Sequence, residues 1–232
     1  GPDFNSDGVI GAADLIVFLT YYGYEWPLVP EFVCGETIAH HDYDYSTVLI
    51  GEQCWFSENC RYLPVVSPSS EGSETDPYYY VYDYEGTDVA AAQATGNYET
   101  YGVLYNWPAV MFTSGWNPAN ICPSGWHIPS DEEFTELTDF LGGESVAGVK
   151  MKDAVQWNGS NSSGFSGLPG SYRNSGGFGD SGTFGFPSGI WWSASEWTSN
   201  YSWVRELNYA YDNVYHFNYN RLYGFSARCV RD

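Results

Sequence analysis

The sequence predicts an α+β fold: a small twisted antiparallel sheet, few helices and long glycine-rich loops, with a short helical arm in front. Three observations carry this. Residues 130–143 signal a helix from cap to cap, several short aromatic and β-branched runs read as strands, and Gly and Ser dominate residues 157–189. With 232 residues, of which 43% are hydrophobic, the chain can bury a real core as one large domain with a small appendage. We divide it into an arm (1–24), a linker (25–44) and a main domain (45–232).

Composition narrows the function. The net charge is −21 and Lys and Arg total only 8, so nucleic acid and anionic membrane surfaces are poor partners and cations good ones. No apolar run is long enough to cross a bilayer. The chain begins at Gly1 with no signal-peptide pattern, which reads as a processed, mature chain. Scarce Lys and abundant Tyr, Trp, Gly and Ser fit an extracellular or cell-surface protein. The five cysteines form no CxxC pair and have no His at zinc-like spacing, so disulfides in an oxidising compartment are expected, with one thiol left over.

The arm carries the sharpest chemical motif, DFNSDGVIGAADL at Asp3–Leu15. Asp3, Asn5 and Asp7 alternate, Gly8 marks a sharp turn, and Asp14 closes a loop twelve residues long. Hard Ca²⁺ takes six to eight oxygens, and this spacing wraps them round one ion. Asp3, Asn5 and Asp7 supply side-chain oxygens, Val9 a backbone carbonyl, water the place at Gly11, and Asp14 the last ligand. Asp14 followed by Leu15 and a helix ending near Tyr22–Gly23 resembles one type I dockerin repeat. A dockerin pairs two such repeats, and this chain has one, which argues against cohesin binding. Ile16, Leu19 and Tyr22 continue an apolar helix side that needs cover from the main domain or a neighbouring chain. Pro27 and Pro30 mark a stiff linker over Trp26–Glu31.

In the main domain, Tyr45–Arg61 reads as a hairpin turning at Gly51. The acidic stretch Ser67–Asp88 offers Asp76, Asp83, Glu85 and Asp88 as a second cation site or as a solvated loop. Tyr78–Tyr84 and, more clearly, Tyr101–Trp107 read as strands. Ser130 then caps a helix, with Glu133 completing a capping box and Asp131, Glu132 and Glu133 favouring its positive end. Phe134, Leu137 and Leu141 give that helix one apolar face, with Phe140 beside it, and Gly142 and Gly143 end it. Ser145–Lys152 is a second short helix holding both lysines. Strands are expected over Ile190–Glu196, Trp203–Tyr209 and Tyr223–Val230, with Tyr211–Tyr219 as an exposed edge.

No catalytic constellation stands out. His40, His41, His127 and His216 lie in unrelated segments, the adjacent pair would face opposite sides of a strand, and no GxSxG, HExxH or Walker motif is present. His127 reads as a packed structural histidine. Trp116, Trp191, Trp192, Trp197 and Tyr211 are candidate faces for sugar stacking, against the alternative that they fill the core. Asn161 and Asn200 begin glycan acceptor sequons.

Five ordered motifs carry a resemblance: YGVLYNWPAV, ICPSGWHIPSDEEFTELTDFLGG, SGFSGLPGSYR, WWSASE and GFSARCVRD. From about Tyr45 to Asp232 the chain is similar to the Fibrobacter succinogenes major paralogous domain. The resemblance implies an extracellular bacterial module related to C-type lectins and formylglycine-generating enzymes. It also implies that Cys60, where the family commonly has Leu, is the odd thiol, either buried or bonding another subunit. Cys34–Cys54 and Cys122–Cys229 are then the expected bridges. The paired reactive cysteines of formylglycine-generating enzymes are missing near the C-terminus, where Cys229 stands alone. The Glu-Pro-Asn, Gln-Pro-Asp and Trp-Asn-Asp motifs of calcium-dependent lectins are also absent. The expected function is a non-enzymatic extracellular structural or adhesive protein that self-associates, as a surface-filament subunit does, with a Ca²⁺-stabilised arm. A lectin-like glycan-binding module is the first alternative and a formylglycine-generating-like enzyme the second.

Overall fold

The computed structural model describes residues 3–21, 32–111, 121–180, 182, 185 and 187–231. The chain forms two compact units, Gly1–Val33 and Cys34–Asp232. In the first, a loop leads into helix α1 (Ala12–Tyr21), and the Phe4 ring packs on Phe18 at 5.1 Å.

The second unit is mixed α+β. Its elements run β1 (Ile38–His40), β2 (Tyr43–Tyr45), β3 (Thr47–Ile50), β4 (Gln53–Phe56), β5 (Tyr79–Tyr80), α2 (Val89–Gln93), α3 (Gly96–Tyr101), β6 (Leu104–Tyr105) and α4 (Trp107–Met111). There follow β7 (Trp126–His127), α5 (Asp131–Phe140), α6 (Glu144–Met151), β8 (Tyr172–Asn174), β9 (Gly177–Gly179), β10 (Ser188–Glu196), β11 (Tyr201–Asn208), β12 (Val214–Asn220) and β13 (Val230–Arg231).

Two sheets organise this unit. In the four-stranded sheet, ordered β3-β4-β13-β7, the C-terminal strand lies between the first hairpin and the strand before α5. Val230 there pairs with both Trp55 and His127. The second sheet is an antiparallel meander, β10-β11-β12, in which Trp191, Arg205 and His216 stand in register. Helix α5 packs its Phe134, Leu137 and Leu141 side into a core with Trp55, Phe165, Trp191, Leu207 and Val230. The Trp55 ring lies 5.2 Å from Phe134, and Phe165 bridges it to Trp191. Burial of such rings, each covering 150–250 Å² on average, is the main stabilising term of this unit.

The α5 cap forms in full: Ser130 Oγ accepts from Glu133 N at 3.1 Å, and Glu133 returns an oxygen to Ser130 N at 2.7 Å. Gly142 and Gly143 follow at φ 103° and 94°, a conformation that costs side-chain-bearing residues energy. The hairpin turns at Gly51, φ 65°, and α6 forms over Glu144–Met151. Gly148 of α6 approaches the β11–β12 turn so closely that a Cβ would meet Asp212 O at 2.5 Å.

Three expectations fail in instructive ways. Tyr78–Tyr84 narrows to the two residues of β5, because Asp83 turns the chain at φ 61°. Tyr101–Trp107 is not one strand: it is the end of α3, the short β6 and the start of α4. Helices α2 and α3 are capped by Asp88 and Thr95, whose side chains accept from Ala91 N and Tyr98 N. Tyr223–Val230 is a strand only from Val230. Before that its backbone bridges three separate neighbours, Gly224 with Arg173, Phe225 with Tyr105 and Ser226 with Trp191. Phe140 is also exposed, its ring lying against Gly51 instead of the core.

Candidate functional site

The arm loop collects its oxygens around its own amides. Asp3 Oδ2 accepts from Gly8 N at 2.9 Å, Asn5 Oδ1 from Asp7 N at 3.1 Å and Asp7 Oδ1 from Val9 N at 2.8 Å. Asp14, in the first turn of α1 and buried, accepts from Phe4 N and Gly11 N through separate oxygens, at 2.7 and 2.8 Å. The Gly11 amide is the largest influence holding its carboxyl below the ordinary carboxylate range, with the Asn5 and Phe4 amides adding to it against the opposing effect of burial. Gly8 turns the loop at φ 83°, the sharp bend an EF-hand-type loop requires. Asp3 Oδ1 is buried with no hydrogen-bond partner. The donor set is therefore all oxygen, strung on one tight turn, with one buried oxygen unanswered, and it fits a hard cation. Among the described residues no group of three or more His, Cys, Asp or Glu side chains is gathered as a metal would need, so an ion would have to draw these oxygens closer.

The acidic stretch is not brought together. Glu85 accepts from Ser69, Asp76 from Ser73 and Thr75, and Asp88 caps α2. Asp76 and Asp88 serve their own turns, while Glu85 ties its segment back to Ser69.

The five aromatic candidates separate sharply. Trp191 and Trp192 are 0% exposed, and their indole N–H groups donate to Asn59 Oδ1 and Tyr105 O. They are core residues and offer no face to a sugar, a correction of the sequence expectation. Trp116 lies outside the described residues. Trp197, at 54%, and Tyr211 are exposed. Trp197 belongs to a row that sequence reasoning missed. Its ring lies 4.8 Å from Trp203, and Trp203 lies 4.2 Å from His216. The spacing Trp203-x-Arg205 on one strand, opposite His216 on the next, was the available signal, but only strand register makes it visible.

Beneath that row lies a charged cluster. Arg205, almost wholly buried, donates to Asp131 Oδ1, to Asp131 O at 3.1 Å and to Thr135 Oγ1 at 3.0 Å. His216 Nε2 lies 2.9 Å from Asp131 Oδ1. Burial, then the Arg205 charge, holds His216 below its ordinary value, with Asp131 and Glu144 opposing.

The other histidines are placed by structure. His127 Nε2 lies 2.8 Å from Glu133 Oε1, tying β7 to the α5 cap. His40 and His41 do not face opposite sides of a strand. His41 begins a turn at φ 49°, which brings the two rings to 3.9 Å and stacks His41 on Tyr62.

The sulfurs are equally definite. Cys34 bonds Cys54, Cys122 bonds Cys229, and Cys60 is free. Cys60 is 0% exposed, so in the folded chain it cannot reach a second subunit. The intermolecular role left open by the sequence is thereby removed.

The family model described as Fibrobacter succinogenes major domain matches residues 48–231. No curated relative and no solved structure matches the chain.

Proposed function

Because this chain belongs to the Fibrobacter succinogenes major domain family over residues 48–231, we propose that it is an exported, non-catalytic structural or adhesive subunit that self-associates through a calcium-clasped N-terminal arm. One observation carries the reading. Helix α1, AADLIVFLTY, is apolar along nearly its whole length, yet Leu15 is 55% and Ile16 65% exposed. A helix of ten residues is marginal in water by itself, and burying such side chains is worth roughly 1.5–3 kcal/mol each, so this face calls for a covering surface. We assign that surface to a second copy of the chain, in a head-to-tail contact that builds open fibres unless it closes.

The dockerin-like reading of the arm belongs to this proposal. Asp3, Asn5, Asp7, the Val9 carbonyl and Asp14 hold Ca²⁺, which links the loop to the first turn of α1. Asp14 is the residue that joins them, since it lies on the helix and already reaches the loop's Phe4 amide. The C-type-lectin-like reading of the main unit is supported by the C-terminal strand pairing with the first hairpin. The two disulfides support an extracellular or cell-surface setting.

Light scattering after size exclusion tests the assembly, with calcium and with EDTA. Calcium should produce species larger than the monomer, and Ile16→Glu should return them to monomer. A monomer at high concentration under both conditions overturns the reading.

Glycan binding is the second reading, and the Trp197–Trp203–His216 row favours it. Exposed indole faces stack on pyranose rings without any metal. A glycan array should then show saturable binding that Trp197→Ala abolishes and EDTA leaves intact.

A further inference from the structure

The free thiol of Cys60 lies in the core with its Sγ 3.6 Å from Sγ of Cys229, which is itself bonded to Cys122. The fold fixes this proximity. Cys60 N donates to Ala227 O at 2.9 Å, and Cys60 O accepts from Val103 N at 3.1 Å, so the residue is held between the C-terminal segment and the approach to β6. Gly102 closes the site: at φ 75°, a Cβ there would meet Cys60 O at 2.7 Å. The buried Arg228 guanidinium, whose charge acts on the thiol, is held by Phe165 O, Ser166 O and Asn59 Oδ1.

We propose that Cys60, Cys229 and Cys122 form an internal thiol–disulfide exchange site, through which the chain converts between two disulfide isomers. The Cys60 thiolate attacks Sγ of Cys229, a Cys60–Cys229 bond forms, and the Cys229–Cys122 bond breaks. Cys122 leaves as thiolate and takes up the proton that Cys60 released. One disulfide and one thiol exist before and after, so no oxidant or reductant is needed. Either isomer keeps the C-terminal segment covalently anchored. The change moves the free thiol from Cys60 to Cys122, which is also buried, at the approach to β7 and α5.

Burial pushes the Cys60 thiol up to about 12, with the Arg228 charge opposing. Only the thiolate attacks, so at neutral pH exchange is slow, and its rate climbs about tenfold per pH unit.

Thiol mapping on the intact folded protein tests this. Samples are held at about pH 6 and about pH 9 without added thiol, quenched in acid, unfolded, labelled with a maleimide and mapped by peptide mass spectrometry. Label is expected at Cys60 alone from the acidic sample, and at both Cys60 and Cys122 from the alkaline one. The Cys122 share should rise at a rate independent of protein concentration and vanish in Cys60→Ser. A second variant, Cys122→Ser, leaves Cys60 and Cys229 as neighbours. Refolded from urea with oxidised glutathione, so that both thiols are reachable before the core closes, they should join in a disulfide that lacks two hydrogens and refuses label. An alkaline sample labelled only at Cys60, or a Cys122→Ser protein whose two thiols stay open, overturns the proposal.

Discussion

Arg205 shows what one residue costs when it is turned into a core. Its guanidinium is buried on the β11 face toward α5, and Asp131 is the carboxylate that answers it. Removing one partner of a buried pair leaves an uncompensated charge, at about 3–5 kcal/mol. Asp131→Ala should therefore lower stability by that order in urea unfolding, and Arg205→Met added to it should recover much of the loss. Recovery is the decisive part, since a purely local effect of Asp131 at the helix start would not be relieved by changing Arg205.

His216 adds a pH dependence at the same place. Its folded value lies below the ordinary 6.5, because burial and then Arg205 disfavour its charged form. The unfolded chain therefore binds the proton more tightly. This contribution to stability is complete above 6.5 and is lost as pH falls through the lowered folded value. Melting temperature should fall over that window in the native chain, and less steeply in His216→Phe. Equal slopes in the two proteins would mean the proton is taken up elsewhere.

Among the elements, α5 shows how local chemistry becomes a scaffold. Ser130 and Glu133 satisfy each other's backbone amides, and the same Glu133 carboxylate meets His127 on β7. Cap, helix and sheet thus share one side chain. Ser130→Ala should cost about 1 kcal/mol, read as a lower melting temperature with an unchanged fold. This element was legible in advance, since capping residues and a helical period are written within a dozen positions. Helices α2, α3 and α4 were not, because five or six residues give no period to read. Their capping side chains were the only signal: Asp88 for α2, Thr95 for α3 and Asn106, which accepts from Ala109 N, for α4. The segment Tyr223–Val230 misled for the opposite reason. It alternates like a strand, but its neighbours are three different segments, so it never forms a ladder with any one of them.

At the scale of the molecule, two bridges hold segments that are close in space and distant along the chain. Cys34 and Cys54 are 20 residues apart, and Cys122 and Cys229 are 107 apart. On the chain-entropy model these loops are worth about 3 and about 5 kcal/mol. Cys34→Ala with Cys54→Ala should lower the unfolding free energy from urea titration by the smaller amount, and a negligible change would mean that the bridge does not constrain the unfolded chain.

What the sequence determined by itself is whatever local spacing can encode. That includes the capped helix, the Gly51 hairpin, the oxygen-bearing loop at Asp3–Asp14 and an odd number of cysteines. Only tertiary structure decided which of the many aromatic rings are core and which are surface, since Trp191 and Trp197 lie six positions apart yet differ completely in exposure. It alone brought Asp131 to Arg205 and Cys60 to Cys229, across 74 and 169 positions. The reason is physical. Caps, turns and periods arise from forces between near neighbours in the chain, whereas burial and pairing depend on which distant segments meet.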